Sequence, residues 1–477
     1  MWDDGQRNFD VSLLVRNNED MKSTRRSLLR RAFALQAGAT VAGQRAGAEA
    51  PATYVTWTRR IPVRYEADVA VLGGGIAGVS AACAAARSGV KVILVERFAV
   101  TGGVLTTGGV ANFCGDLEGQ GEVFDAILDL LGRFNAFDPT GKKADGHGGP
   151  IRQFHYETLA VVLQEMLLRR GVKLLLHTRL ADVNVSSSGR ITECLVAGKS
   201  GLEAIRAKQF IDCTGEGDVA RFAGFATMKG RPSDHLQLPM SLMYFVRHVE
   251  ERDVAVQLAP GWFEPVRTKE DLPMVSVWPD GPRGNAIKLK VPKFDATSTE
   301  SLTAAEIRAR RRMFEVLYYH QAVEKRPWRL DHCSPIIGIR EGCRIVGDYV
   351  LKVDDVRAGR VFDDGVARGT FYLDAHGVDD EKRTYQLPPE QLKVPPYQIP
   401  LRSLIARDGK NLMMAGRCFS ADQLALSSAR VSTTGSMMGQ AAGIAAALAV
   451  QKKCDPRDCD PAAVKKIVLE RGANLKC

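Results

Sequence analysis

Hydrophobic and polar positions follow two periods along this chain, and the first clear switch between them lies between residues 67 and 96. Residues 67–72 form a short, apolar, β-branched run of the kind a strand buried on both faces requires. An alanine-rich stretch follows to residue 88, Gly89 stops it, and residues 91–96 form a second apolar run ending in a carboxylate. The pattern predicts strand, helix and parallel strand. Residues 115–149 are rich in glycine and charge, with one amphipathic helix at 123–131, and predict a flap. Residues 154–157 introduce a helix to residue 170, with His155 as a capping residue, and 172–177 predict a third parallel strand. Residues 180–185 and 191–196 then pair as a hairpin around a Ser/Gly turn, and a further strand runs to 210–212. A helix opens at Asp218, the expected N-cap.

From 225 to about 402 the pattern changes. Strand-like pieces such as 241–248 alternate with proline-rich loops, and one long helix is predicted over 303–325. Its arginines, Arg308 and Arg310 to Arg312, read as a solvated face. A strand at 411–415 and a helix at 436–450 close the pattern. Gly439, Ala441, Ala442, Gly443 and Ala445 suit that helix to close packing on a sheet.

The first turn carries the chemistry. Gly73 allows a tight turn, Gly75 lets backbone approach a pyrophosphate, and Gly78 lets helix and strand pack closely. Ile76 and Ala77 open the helix, whose free N–H groups face the phosphates. Glu96, about twenty residues on and followed by Arg97, is placed to accept hydrogen bonds from an adenosine ribose. That suits NAD and FAD alike. Gly102, Gly103 and Val104 come directly after the second strand, as wrapping an extended cofactor requires.

These residues resemble the two-dinucleotide-binding-domain flavoproteins related to glutathione reductase. Two later segments narrow the resemblance. Residues 210–220, FIDCTGEGDVA, resemble a returning D-A-T-G-D-G-D segment, and residues 411–418, NLMMAGRC, resemble a carboxy-terminal N-L-x-x-A-G-R-C segment. Together they resemble the FAD-dependent oxidoreductase family over residues 64–450. The resemblance implies an α/β fold with a doubly wound, Rossmann-like FAD-binding domain and an inserted mixed α+β substrate domain. It implies FAD contacts from Thr214, Gly215, Gly217, Asp218, Gly416 and Arg417, and an adenine contact near Leu180. Thr433, Thr434 and Gly435 lead into the last helix, whose positive end faces the flavin pyrimidine. The expected boundaries are 64–224 and 405–450 for the FAD domain, 225–404 for the substrate domain and 451–477 for a tail.

Composition adds the compartment. The 477 residues are 45% hydrophobic and 25% charged, ordinary for a globular protein long enough for two domains. Formal charge is +10, but six basic residues and no acid lie in 21–48, which leaves +4 for the rest. No basic stripe interleaved with aromatics points to nucleic acid. Residues 24–30, TRRSLLR, resemble a twin-arginine export signal, followed by an apolar run too short to span a bilayer and a small-x-small site at 46–48. Segment 21–48 is read as that signal, 49–63 as a linker, Met21 as the start, and the export machinery as a partner that delivers a folded flavoprotein to the periplasm. Ten cysteines show no zinc spacing and no disulfide framework, so no metal is expected. Cys454 and Cys459 are close enough in sequence to pair, though two free thiols are the preferred reading.

The expected function is hydride exchange between a small organic substrate and flavin N5, with an unidentified electron acceptor. The catalytic candidates are Arg340, in a segment resembling P-R-x-x-G-x-R-E, as an oxyanion clamp, His332 as a proton donor, and Arg430 beside the returning segment. Cys114 is noted as a flavin-loop thiol. Dehydrogenase or reductase is preferred to oxidase. The alternatives are a pyridine-nucleotide dehydrogenase, which leaves the carboxy-terminal segment unexplained, and a non-catalytic flavin- or ligand-binding envelope protein.

Overall fold

A computed structural model describes residues 55–137 and 151–477. The expected export signal, the first part of the linker and the end of the flap lie outside the described residues. The chain divides into units 1–60 and 61–477. In the first, residues 55–60 form neither helix nor strand. Both sheets and the cleft lie in the second.

Its first sheet begins with β1 (Val63–Leu72), crosses through α1 (Ile76–Arg87) and returns as β2 (Val92–Val95). After two helices, Glu122–Arg133 and Tyr156–Arg169, the chain adds β3 (Lys173–Leu175), parallel to β2. It then folds β4 (Arg179–Val185), β5 (Ile191–Gly198) and β6 (Gly201–Asp212) as an antiparallel meander whose last strand runs parallel to β1. A short α2 (Asp218–Phe222) follows.

The second sheet, in the order β8-β9-β7-β10, is antiparallel: β7 (Met240–His248), β8 (Val275–Pro279), β9 (Gly284–Val291) and β10 (Trp328–Cys333). The helix α3 (Thr299–Tyr318) shares its core, in which Leu242, Tyr244, Leu289, Met313 and Val316 are buried together. The chain then returns to the first sheet as β11 (Leu412–Met414), parallel to β6, and ends its second crossing in α4 (Ser432–Lys452).

Register explains why distant segments meet. Leu72 lies opposite Val95 on one side and Asp212 on the other, and Met414 also lies opposite Asp212. Four parallel strands therefore end level, and the segments after them, at 73, 96, 214 and 415, emerge side by side at the carboxyl edge where α/β sheets bind ligands.

Several expectations change. The long helix starts at Thr299 and ends at Tyr318, followed by a wider turn at Tyr319–Val323. The last helix starts four residues before 436, so Thr433, Thr434 and Gly435 form its first turn. It packs on strands of the first sheet as expected, but its two glycines meet a helix: a Cβ on Gly439 or Gly443 falls 2.1 or 2.2 Å from the carbonyl oxygens of Ala77 and Ala81, so α1 and α4 run parallel in backbone contact. Gly217, at φ 66°, caps α2, and Asp218 is its first residue. The carboxylate that holds that turn is Asp212, which accepts from Thr214 and Val219 N–H groups at 3.0 and 2.9 Å. Ile345, Val366, Tyr397 and Leu404, expected in the substrate domain, are buried in the core of the first sheet.

Candidate active site

The dinucleotide turn is built by three glycines with different duties. Gly73 has φ 103°, and a Cβ there would stand 2.3 Å from the Cys213 carbonyl oxygen. A Cβ on Gly78 would stand 1.9 Å from the Gly73 carbonyl oxygen, so this glycine serves helix–strand packing. Gly75 is neither strained nor crowded. Its φ of −65° and ψ of 176° suit any residue, and nothing lies within 4 Å of a Cβ built there. The chain itself does not require a glycine at 75; a ligand approaching the backbone does.

Glu96 is 4% exposed and fixed by Gly74 N–H at 2.7 Å and Phe98 N–H at 2.9 Å. Burial raises its pKa, against the pull of those two N–H groups. No side chain caps α1 or α4, and their parallel packing brings both positive ends to the same edge.

One cavity of about 1230 Å³ follows that edge. It exceeds the roughly 300–1,000 Å³ of ordinary ligand pockets, leaving room for an extended dinucleotide with a small substrate. Of the sequence candidates, Gly73, Gly75, Ile76, Ala77, Glu96 and Arg97 line it. So do Gly102, Gly103, Val104, Leu180, Thr214 and Gly215. Asp218, Gly416, Arg417 and Gly435 complete its cofactor side. Gly78, Gly217, Thr433 and Thr434 are not in the wall. Gly78 and Gly217 pack on protein, and Thr433 Oγ1 donates to the Cys114 carbonyl at 2.8 Å. Arg417 pairs with Glu216, which also meets Arg97 at 3.5 Å. Burial and the nearby carboxylates of Glu216 and Asp212 push Asp218 up to about 6. These residues fit FAD: an open cradle at Gly75, a fixed ribose acceptor at Glu96, two uncapped helix ends, and walls from both ends of the unit.

The far wall comes from the second sheet and residues 371–385. Arg340 and Arg430 both line the cavity; His332 does not. The His332 side chain is 40% exposed, stacked on Phe245 at 4.4 Å, and bonded to Tyr156 Oη at 2.7 Å and Asp331 at 3.0 Å. Its partners hold it at the second sheet, away from the cleft wall. Arg430 donates to Asp374 Oδ2 at 2.6 Å. Cys114 lines the cavity as a neutral thiol that burial pushes up to about 11.

Sequence reasoning missed His376, Asp374, Lys288 and Lys290, all in the wall. His376 is buried; its Nδ1 lies 2.8 Å from the Thr384 carbonyl, which can only accept, so the Nδ1 proton is donated there. Burial lowers its pKa well below the ordinary value, against the pull of Asp374, and Lys290, Arg340 and Lys288 add to the lowering. Its Nε2 is buried 3.1 Å from Asp374 Oδ1, so the two side chains form a pair in the wall. Burial raises the Asp374 pKa, but His376, Arg430, Lys288 and Arg340 outweigh it and hold the carboxyl well below its usual range. Among the described residues, no group of His, Cys, Asp and Glu is arranged to hold a metal, and no helix is long and apolar enough to cross a membrane.

Fold and cleft together define a dinucleotide-binding α/β protein with an extended cleft at the carboxyl edge of its sheet. A family model described as FAD dependent oxidoreductase matches residues 68–468, and the chain belongs to that family. FAD is its cofactor. No curated protein matches the chain. Solved structures that resemble it include a geranylgeranyl bacteriochlorophyll reductase-like protein from Thermoplasma acidophilum, at 13% identity and TM-score 0.46, covering 86% of this chain and 84% of that one. The p-nitrophenol 4-monooxygenase PnpA from Pseudomonas putida DLL-E4 matches at 13% identity and TM-score 0.43, covering 86% and 88%. The OxyS anhydrotetracycline hydroxylase from Streptomyces rimosus matches at 15% identity and TM-score 0.41, covering 84% of this chain but 65% of its own.

Proposed function

We propose that the protein is an FAD-dependent dehydrogenase or reductase of a small organic molecule, with His376 moving the proton. The observation that carries this reading is a buried histidine, fixed at Nδ1 by the Thr384 carbonyl and paired with Asp374, in the wall of the same cavity as the dinucleotide turn. The chemistry that bound FAD supplies is two-electron hydride exchange at N5. The rest falls to this chain's residues. In the oxidative direction, the His376–Asp374 pair takes the proton that leaves the substrate hydroxyl as its carbon loses hydride. Asp374, 3.1 Å away, stabilises the imidazolium that forms. Thr384 fixes the tautomer through Nδ1, and Arg430 keeps Asp374 ionised and in place. Apolar walls at Met243, Ile339 and Phe371 exclude water from the exchange.

The test is anaerobic mixing of the purified flavoprotein with hydroxy acids, sugars and enoates while its visible absorbance is followed. At least one class should bleach or reoxidise the flavin. His376→Asn should slow that step by about 10²–10⁴-fold at unchanged flavin content. A flavin that no class bleaches or reoxidises, or a His376→Asn protein of native rate, refutes the reading. Twin-arginine export to the periplasm is part of the same proposal. It rests on residues 24–48 and is tested by fractionating cells that express the Arg25→Lys, Arg26→Lys double variant, which should retain the protein inside.

A further inference from the structure

Buried cations in this chain generally have a carboxylate. Arg344 has Glu341, Arg312 has Glu315, Arg417 has Glu216 and Arg430 has Asp374. The buried Arg340 and the half-buried Lys288 have no such partner, and both line the cavity. Arg340 is 8% exposed and donates to the Pro239 carbonyl at 2.8 Å and to the Ser241 hydroxyl, both neutral acceptors. Lys288 places its ammonium 5.6 Å from the centre of the Trp278 ring. No carboxylate among the described residues forms an ion pair with either. Burial lowers the Lys288 pKa, and Arg340 lowers it further; burial and Arg430 push Arg340 down to about 10. The two charges thus oppose each other, and the nearby carboxylate that favours both, Asp374, is already paired with Arg430, which leaves an excess of positive charge for a ligand's charge to compensate.

The cofactor's phosphates are not that ligand, because the open turn at Gly75 and the uncapped end of α1 serve them. The strand pattern shows the arrangement is built. In β9, Ile287, Leu289 and Val291 enter the core of the second sheet, while Lys288 and Lys290 point to the cleft. Apolar and aromatic side chains share the cavity wall with the two cations, among them Met243, Trp278, Ile339 and Phe371. Such walls fit the carbon skeleton of an organic acid and disfavour a heavily hydrated phosphate dianion.

We infer that Lys288 and Arg340 bind the carboxylate of the substrate, so that the enzyme's substrates are small organic acids. This rests on the reading that this end of the cleft holds the substrate. The planar fork of Arg340 supplies direction, and the Lys288 ammonium supplies charge.

The test is calorimetric titration of the FAD-loaded protein with glycolate and succinate, and with their uncharged counterparts ethylene glycol and succinamide, and with inorganic phosphate. The acids should bind at least about tenfold more tightly than the uncharged compounds and than phosphate, as charge-assisted pairing in a buried site implies. Lys288→Met should weaken acid binding by about ten- to a hundredfold, Lys288→Arg should recover most of it, and Lys173→Met, an exposed cation outside the cleft, should change nothing. Arg340→Lys provides a second variant should Lys288→Met fail to fold, and it too should weaken acid binding. Equal affinity for acids and uncharged analogues, preference for phosphate, or acid binding unaffected by both variants overturns the inference. The two proposals fail separately. A neutral compound that reduces the flavin while acids do not bind sinks this one alone, and acids that bind without any compound exchanging electrons sink the other alone.

Discussion

At the scale of single residues, the telling contrast is among Gly73, Gly75 and Gly78. Two are needed by the chain, one for its backbone angle and one for contact, whereas Gly75 has ordinary angles and open space around its Cα. Gly75→Ala should therefore leave the thermal midpoint of the FAD-free protein unchanged within a degree or two. It should weaken FAD binding by about tenfold or more, which a loss of roughly 1.4 kcal/mol would produce. Flavin titration beside a melting curve checks both, and an alanine variant that binds FAD normally would show that nothing approaches the turn there. The glycine spacing was legible in sequence, but which glycine serves the ligand depends on φ and ψ. Lys288 and His376 were not legible, for a physical reason. In a strand reading Ile-Lys-Leu-Lys-Val, alternation says only that one face is polar, and a polar cleft wall has the same pattern as a solvated face. His376 lies two residues after Asp374 in a stretch without periodicity, and only the fold puts both in the cleft wall. His332 drew attention through its neighbours in sequence, yet Phe245, Tyr156 and Asp331 hold it on the second sheet.

Among elements, the pair α1 and α4 matters most. Both helices start at the cleft without side-chain caps, and Gly439 and Gly443 let them touch along their length. Adding one methyl group at Gly443 forces Cβ to within 2.2 Å of the Ala81 carbonyl oxygen, so the helices must separate. Gly443→Ala should cost about 1–3 kcal/mol, the usual penalty for overpacking, despite the better helix propensity of alanine. Chemical denaturation measures it, and an unchanged or higher midpoint would mean the helices are not in backbone contact. Sequence made the small-residue stripe visible and predicted a sheet as its partner. Small side chains say that another backbone comes close, not which one, and α1 is more alanine-rich than α4. Element ends were read less well than element types. The last helix begins at Ser432 because Val431, with φ −67° and ψ 157°, is its N-cap, a position without a polar side chain to mark it.

For the whole molecule, the central relation is between two stretches more than three hundred residues apart. The turn after β1 and the first turn of α4 meet because β1, β6 and β11 are neighbours that end level. That convergence was foreshadowed by motifs at three places in the chain. The closing of the cleft by the second sheet was not, since the strands of that sheet carry no ligand motif. The account stands on FAD occupying this one cleft, and its most direct test is chemical. Protein purified without added flavin is heat-denatured, and the released chromophore is identified and counted by chromatography against the protein concentration. One FAD per chain, or an apoprotein that takes up one FAD and no FMN, is the expected result. A protein that carries FMN or a pyridine nucleotide instead, or that takes up no FAD, would contradict it.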